Sequence, residues 1–480
     1  MIMCKNYIKP VIILVLLSGL VAIIPVTAGA VTVKEVYAGG FTSYAVDVDG
    51  NVWVWGSFLN EKYAHPTRLS FIDHVKMIAP GTAGCAVALK DDGTVWAWGN
   101  LPANCAGAYP GDNSTMPIQI PISDVKFVAC TSSGSSVYMV KEDGSLWMCG
   151  SELCLSMDDI LHTEHIYDPV QCPVSDVSNI VVTSSFVYVL KDDGSWWSWG
   201  ENRDYQLNDG TNVSRDTPVR MRLANVKEVS AESMCFGVND EFVSASSVLA
   251  LDEVGQVYGW GDNTYWVAGD SSFPTSSIVS SPHPVPRMSN VIEIGSGVDY
   301  YAALKKDGTV WAWGSNPYCY DGQNSLDSNT PVKLAGFTDI VSIATGSQHL
   351  LGVKKDGTVW AWGCNKHGEL GNGEISGIGG KPYAVQVTDL HVDLRAVTGT
   401  SLVTSTPAQA PTYTAIPNME DNSTETSKPA AVAPVSPTPV PLPSVTPEST
   451  PGFGFNNIAG LCSLLIIVGL LKGFVRRKGM

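Results

Sequence analysis

A ten-residue segment that recurs along the chain restricts its fold more than any other feature. Lys-Lys-Asp-Gly-Thr-Val-Trp-Ala-Trp-Gly stands at residues 354–363 and 305–314, a near-identical copy stands at 90–99, and looser copies bring the total to seven. The copies lie 43 to 61 residues apart, near the period of roughly 40–50 residues at which propeller blades repeat. This tandem array predicts a repeat protein, because one unit cannot bury its apolar face alone.

Each copy has the pattern of a β-hairpin. A short apolar strand leads to an Asp-Gly pair in six of the seven copies, and a strand follows in which Trp alternates with small residues. Asp-Gly predicts a two-residue turn with positive φ at both central residues, which Gly adopts freely. The turn glycines are Gly50, Gly93, Gly144, Gly194, Gly255, Gly308 and Gly357.

The tryptophans of the second hairpin strand predict how the units pack. Side chains alternate between faces along a strand, so Trp360 and Trp362 share one face and the small residues share the other. The bulky face of one unit can then pack on the thin face of the next. We therefore assign the paired tryptophans, most clearly Trp98, Trp313 and Trp362, to a core between units; a sugar-stacking platform is the alternative.

Each hairpin also has an apolar segment before it and a further extended segment after it, such as residues 339–343 and 330–334. Four strands in each of seven repeats predict an all-β chain that folds as a seven-bladed β-propeller of four-stranded antiparallel blades.

The last repeat, which runs from Ile343 through Gly-Ser-Gln-His and the hairpin to Trp-Gly-Cys-Asn-Lys-His-Gly-Glu-Leu-Gly at residues 362–371, resembles the repeat of the regulator of chromosome condensation family. The resemblance covers about Val33 to Thr400 and implies that family's seven-bladed propeller. His349 stands where the family repeat carries its histidine, and its expected role is a structural hydrogen bond within the blade.

Departures from the repeat mark where function is expected. The fifth repeat has 26 instead of 14 residues between its leading strand and its turn glycine, and long loops occur at 151–168 and 262–283. All three lie on the face opposite the Asp-Gly turns, because alternate connections of an up-and-down sheet share a face. Exposed aromatic residues there predict a contact patch of Phe242, Tyr265, Trp266 and Phe273. The alternative is that these side chains pin the loops to the rim.

Composition and motifs exclude several functions. The net charge of −17 and a pI near 4.8 argue against nucleic acid, which requires a basic surface. We find no nucleophile elbow, phosphate loop or convincing catalytic grouping, and therefore predict no enzyme, no cofactor and no metal. One alternative is a polysaccharide-active enzyme that uses carboxylates such as Asp240, Glu241 and Asp262.

Cysteines cluster in the second to fourth repeats, at Cys105, Cys130, Cys149, Cys154 and Cys172. In an exported chain this cluster predicts one or two disulfides of unknown pairing. Cys149 and Cys154 with His162 and His165 also have the residue types of a zinc site, but Cys149 replaces a core tryptophan and is expected to point inward.

The two ends of the chain predict export and anchoring. Residues 1–30 have the basic start, apolar run and small-residue cleavage site of a signal peptide. After the propeller, residues 31–404, comes a Pro/Thr/Ser-rich segment, 405–451, which predicts a disordered stalk. Residues 452–480 contain an apolar run that predicts a helix long enough to span a membrane, and then a basic cluster.

The motif Pro451-Gly452-Phe453 before that helix resembles the C-terminal sorting signal of archaeal surface proteins. The resemblance implies processing by an archaeosortase-like enzyme; a plain transmembrane anchor is the alternative. Asn113, Asn212 and Asn422 stand in glycosylation sequons.

These features together predict a cell-surface-anchored module that recognises an extracellular protein or glycan, with a structural envelope component as a further alternative. Because the chain is predicted to be exported, we expect no GTPase partner.

Overall fold

The structure is a computed structural model that describes residues 30–59, 61–81, 85–99, 114–131, 136–150, 166–238, 241–275, 277–315, 327–376 and 380–394. The predicted signal segment up to residue 29, the stalk, the sorting motif and two sequon asparagines, Asn113 and Asn422, lie outside these ranges. Within them no helix is long and apolar enough to cross a membrane.

The described residues form strands in seven groups of four, which we number blades 1 to 7 in chain order. Blade 1 consists of β1 Val31–Ala38, β2 Thr42–Asp47, β3 Val52–Phe58 and β4 Glu61–Leu69, and blade 2 consists of β5 Val75–Pro80, β6 Ala86–Lys90, β7 Val95–Gly99 and β8 Ser114–Ile120. Blade 3 consists of β9 Val125–Cys130, β10 Ser136–Lys141, β11 Leu146–Gly150 and β12 Ile166–Gln171, and blade 4 consists of β13 Val177–Val182, β14 Phe186–Lys191, β15 Trp196–Gly200 and β16 Arg215–Arg220. Blade 5 consists of β17 Val226–Val238, β18 Glu241–Asp252, β19 Val257–Asp262 and β20 Ile278–Pro284. Blade 6 consists of β21 Val291–Ser296, β22 Tyr300–Lys305, β23 Val310–Ser315 and β24 Asp327–Lys333. Blade 7 consists of β25 Ile340–Thr345, β26 His349–Lys354, β27 Thr358–Cys364 and β28 Gly380–Val392.

The strands of each blade pair antiparallel in sequence order, and the blades are arranged in a circle. Blades 2 to 6 are separate four-stranded sheets. The first strands of the seven blades contact one another in cyclic order from β1 through β25 and back to β1. All seven line one cavity of about 180 Å³, whose apolar wall includes Ile78, Val128 and Ile180. The all-β class and the four-stranded sheets of a propeller are thus confirmed.

Blades 1 and 7 join into one eight-stranded sheet, which closes the circle. The end of β28 pairs parallel with the start of β1, with Val31 opposite Leu390 and Val33 opposite Val392. Val392 also donates its backbone N–H to the carbonyl of the turn glycine Gly357, 2.7 Å away. The ring is therefore closed by the pairing of the end of β28 with the first residues of β1.

The hairpin turns differ from the two-residue turns predicted from Asp-Gly. The seven turn glycines have φ of +78° to +87°, but the residue before each of them does not have a positive φ. In blade 2 the Gly93 N–H donates to Lys90 O at 3.0 Å, and the Lys90 N–H donates to Thr94 O at 2.9 Å. This is a three-residue loop, in which a type I turn is followed by a left-handed glycine.

The two tryptophans of each repeat occupy different environments. Trp98, Trp313 and Trp362 are buried between blades, as predicted. The preceding Trp96, Trp311 and Trp360 are half-buried and pack against the core clusters from their outer side. Each of them lies beneath the lysine that starts the turn, as Trp360 does with Lys354 Nζ 3.7 Å from the ring centre. The strand end reaches solvent here, and the lysine covers the ring.

The aspartate of the turn is tied to this outer tryptophan. In blade 6 the Asp307 carboxylate accepts the Thr309 N–H at 3.0 Å and the Thr309 hydroxyl at 2.6 Å. The Thr309 oxygen in turn accepts the Trp311 Nε1–H at 3.1 Å. Blades 2, 3, 4 and 7 repeat this relay with their own Asp, Ser or Thr, and Trp.

The twelve-residue insertion of the fifth repeat is not a separate loop. It lengthens the first two strands of blade 5, β17 and β18, into a hairpin that continues their ladder as far as Val238 and Glu241. These strands have 13 and 12 residues, whereas the first two strands of the other blades have five to eight. The hairpin therefore extends beyond the sheet on the face opposite the Asp-Gly turns.

Candidate functional site

Acidic and tyrosine side chains converge on the long-loop face, which we define as the face opposite the Asp-Gly turns. They come from three neighbouring blades: Asp204 follows β15 of blade 4, Asp262 ends β19 of blade 5, and Asp299 precedes β22 of blade 6. Glu232 and Ser247 face each other across the long hairpin of blade 5. We call this set, together with Tyr265 and Tyr301, the acidic pocket.

The centre of the pocket is a small hollow of about 10 Å³, lined by Glu232, Ser247, Asp262, Tyr265 and Val298. Beside it the Tyr301 hydroxyl donates to Ser247 Oγ at 2.9 Å. Burial, followed by the negative charges of Asp262 and Asp299, raises the pKa of Tyr301. Tyr301 is therefore a neutral hydrogen-bonding group, and the carboxylates carry the charge of the site.

Asp299 is the least accessible carboxyl group of the pocket. The residue is 1% exposed, and neither carboxylate oxygen has a partner within hydrogen-bond geometry. Burial raises the pKa of Asp299 to about 7, and the nearby Tyr265 side chain opposes this shift. Because a buried carboxylate is costly unless it is paired or well hydrogen-bonded, this group gains from a positively charged partner.

Asp204 has a smaller shift in the same direction. Burial raises its pKa to about 6, with further contributions from the charges of Asp262 and Glu201, while the backbone N–H of Ser246 opposes them. Asp204 of blade 4 therefore lies close enough to Asp262 of blade 5 for their charges to interact. Grouped carboxylates form a site of concentrated negative potential, which favours a cation.

The predicted contact residues have different positions. Tyr265 lines the hollow. Trp266 is half-buried, with φ of +60°, in a turn where its N–H donates to Asn263 O at 2.9 Å. Phe273 packs edge-on against His283, with ring centres 4.8 Å apart, and against the core of blades 4 to 6. Phe242 lies in β18, and its side chain is outside the described set. Tyr265 thus joins the pocket, while Phe273 holds its loop on the rim.

Asp204 and Asp299 were not among the residues predicted from the sequence. Neither belongs to a long insertion, because both stand in loops of ordinary repeats. A comparison of the repeats could have indicated Asp299. It directly precedes β22, and the equivalent residue of the last repeat, directly before β26, is Gln348. Of the carboxylates considered for catalysis, Asp262 lies in the pocket, whereas Asp240 and the Glu241 side chain are outside the described residues.

His349 makes a hydrogen bond between blades rather than within its own blade. Its Nε2 lies 2.8 Å from Ser43 Oγ of blade 1, and Ser43 Oγ also donates to the Glu369 carbonyl at 3.1 Å. Both side chains are fully buried. Burial lowers the pKa of His349 to about 4, although the Glu369 charge opposes the shift. A Ser–His pair without solvent access stabilises the closure and does not act as a nucleophile.

Among the described residues, no group of three or more His, Cys, Asp or Glu side chains has the arrangement of a metal site. His162, His165, Cys105 and Cys154 lie outside these residues. Cys149 is fully buried in the core between blades 2 and 3, as expected from its tryptophan position. Cys172 is disulfide-bonded.

The repeats, blades and closure define a β-propeller of the RCC1 type. The sequence matches the model of the RCC1-like domain over residues 59–403, which is more than half of the chain. The chain therefore belongs to the RCC1-like domain family.

Relatives agree with this assignment over part of their length. The RCC1 domain-containing mitochondrial protein RUG3 of Arabidopsis thaliana is 25% identical over 302 residues, which cover 58% of this chain and 64% of RUG3. The mouse E3 ubiquitin-protein ligase HERC2 is 30% identical over 118 residues, which cover 24% of this chain and 2% of HERC2. This chain thus spans less than two thirds of these relatives.

Solved structures share the fold at low identity. Prp20p of Saccharomyces cerevisiae superposes with a TM-score of 0.58 at 18% identity, over 75% of this chain and 87% of Prp20p. Human WBSCR16 superposes with a TM-score of 0.54 at 20% identity, over 68% of this chain and 84% of WBSCR16.

The prediction that excluded a GTPase partner is wrong. The Prp20p structure is described together with binding to Gsp1p, a GTPase, and to histones. A propeller of this fold therefore binds a GTPase. Predicted export did not justify excluding such a partner.

Proposed function

We propose that this chain is a protein-binding module that contacts its partner through the long-loop face, with the acidic pocket as the anchor point. The observation that carries the proposal is the grouping of Glu232, Asp262 and Tyr265 around one hollow, beside the buried carboxyl group of Asp299. Support also comes from the RCC1-like family, in which Prp20p binds other proteins.

The size of the hollow indicates which group of the partner enters it. A cavity of about 10 Å³ accommodates a group about as large as one water molecule. A lysine ammonium is compact and donates three hydrogen bonds, whereas the planar guanidinium of arginine is larger. We therefore propose a lysine of the partner as the anchoring residue, held by Asp262 and flanked by Tyr265, both of which line the hollow, with the buried Asp299 nearby.

The wider context of the proposal rests on sequence alone. The signal-like residues 1–30, the stalk 405–451 and the sorting-like segment 452–480 support export and display at the cell surface. On this basis the partner is an extracellular protein, and the role is recognition or adhesion. A glycan partner has no comparable support from the pocket, because neutral sugars do not require clustered carboxylates.

The test is a peptide-display selection against the full-length chain, followed by affinity measurements on the selected peptides. We expect selected sequences to contain lysine, and acetylation or Lys→Arg replacement to weaken binding. Asp262→Asn combined with Asp299→Asn should weaken binding by about 10- to 100-fold, as expected for loss of charged hydrogen bonds. Binding should strengthen between pH 6 and 8, because Asp299 with a pKa of about 7 must ionise.

Glu253→Gln is the matched control. It removes an exposed carboxylate from the same blade, but on the opposite face at the β18–β19 turn, and should leave the affinity unchanged. Selection of lysine-free peptides, or binding that is insensitive to the double substitution, would show that the acidic pocket is not the anchor.

A further inference from the structure

Two cysteines of neighbouring blades face each other beside the central cavity. Cys85 directly precedes β6 of blade 2, and Cys130 ends β9 of blade 3. Their Sγ atoms lie 3.8 Å apart. Cys85 is fully buried, while Cys130 lines the cavity of about 180 Å³ on the ring axis.

The backbone around the pair leaves room for both sulfur atoms. A Cβ atom on Gly81 would lie 2.3 Å from the Cys85 sulfur and 3.5 Å from the Cys130 sulfur. Gly81 also fixes Cys85 by donating its N–H to the Cys85 carbonyl at 2.9 Å. The absent side chain at Gly81 thus creates the space that the two thiols share.

We propose that Cys85 and Cys130 form a disulfide that joins blade 2 covalently to blade 3 at the wall of the central cavity. A disulfide has a sulfur–sulfur distance of about 2.05 Å, so the two atoms must approach by roughly 2 Å. Cys85 is not part of the cysteine cluster seen in the sequence, because Cys85 and Cys130 are 45 residues apart and meet only through the packing of neighbouring blades.

The reaction balances with a small-molecule disulfide as the oxidant. A thiolate of the pair attacks one sulfur of the oxidant and releases one thiolate of that molecule. The second cysteine then attacks the mixed disulfide, forms the Cys85–Cys130 bond and releases the other thiolate. Two protein thiols are oxidised and one oxidant disulfide is reduced to two thiols. Cys130 lines the cavity, and its side chain lowers the pKa of the Cys85 thiol.

The test uses full-length protein incubated with oxidised glutathione and digested under non-reducing conditions. We expect a cross-linked peptide pair that contains Cys85 and Cys130, which separates on reduction and is about 2 Da lighter than its two reduced halves. Cys85→Ser and Cys130→Ser should each abolish the pair. Cys364→Ser, in blade 7, is the control and should leave it intact.

The wild-type digest decides the question even if a serine variant does not fold. Persistence of both thiols under conditions that keep the Cys172 disulfide would contradict the proposal, as would stable glutathione adducts or pairing of Cys130 with another cysteine. A second readout is the melting temperature. Reductant should lower it by several degrees more for wild type than for Cys130→Ser, because the cross-link restricts the unfolded chain.

Discussion

Burial shifts the pKa of two side chains in opposite directions, because it favours the neutral form of each. The pKa of His349 falls from 6.5 to about 4. Between these values the unfolded chain binds a proton that the folded chain does not, so His349 makes stability fall as the pH falls. The pKa of Asp299 rises from 3.8 to about 7, so Asp299 makes stability fall as the pH rises through that window.

Replacing His349 by glutamine tests the first shift. Glutamine cannot ionise, and it retains a polar group that can reach Ser43. We expect wild type to lose up to about 3 kcal/mol more stability than His349→Gln between pH 6.5 and 4, the equivalent of the pKa difference. Urea unfolding across this range measures it, with exposed His65→Gln as control. Equal pH slopes for wild type and His349→Gln would contradict the assignment.

The roles of single residues could be predicted only where the repeat dictates them. The burial of Trp98 and Cys149 follows from strand alternation. The partner of His349 could not be predicted, because Ser43 is 306 residues away and the two meet only when the circle closes. Asp299 was missed for a similar reason, since its environment is made by loops of blade 5 as well as its own blade.

At the level of the element, the hairpin relay explains why Thr or Ser follows the turn glycine so often. The hydroxyl satisfies the aspartate and the tryptophan at once, and so joins the turn to the second strand. Thr309→Val keeps the shape but leaves Trp311 Nε1 and Asp307 without this partner. We expect it to destabilise the protein by about 1–2 kcal/mol, measured by urea unfolding at pH 7.

The chain itself supplies the control for this prediction. Ser145 and Ser195 occupy the equivalent position in blades 3 and 4, so Thr309→Ser should retain most of the stability. The Thr309 hydrogen bonds lower the pKa of Asp307, so their contribution is lost as the pH falls through that pKa. The difference between wild type and Thr309→Val should therefore shrink in acid. An equal loss for the serine and valine variants would argue against the relay.

The sequence predicted the strands of each blade but not the form of their connections. Periodicity located the hairpins, because Trp alternation and Asp-Gly recur in each copy. The turn type was wrong, because Asp-Gly suits a three-residue loop with a left-handed glycine as well as a two-residue loop. The insertion of the fifth repeat was interpreted as a departure from the blade, whereas its residues lengthen β17 and β18, which pair with each other as one hairpin.

On the scale of the whole ring, stability depends on a short parallel contact between the two ends of the propeller. Blades 1 and 7 share one sheet through Val31–Val33 and Leu390–Val392. Side chains of paired residues in neighbouring strands lie on the same face, so Thr32 and His391, which are partners in this register, are close enough for an engineered cross-link. The cross-link tests both the closure and its register.

Thr32→Cys with His391→Cys should form a disulfide on mild oxidation and stabilise the protein by about 2–4 kcal/mol relative to its reduced form, because the bond encloses nearly the whole propeller in the unfolded chain. Lys34→Cys with His391→Cys is the matched control, shifted by two residues on the same strand face. Peptide mapping without reductant and melting with and without reductant give the result. Preferential cross-linking of the control pair would place β28 in a different register, whereas failure of both pairs would show that β28 does not close the ring against β1.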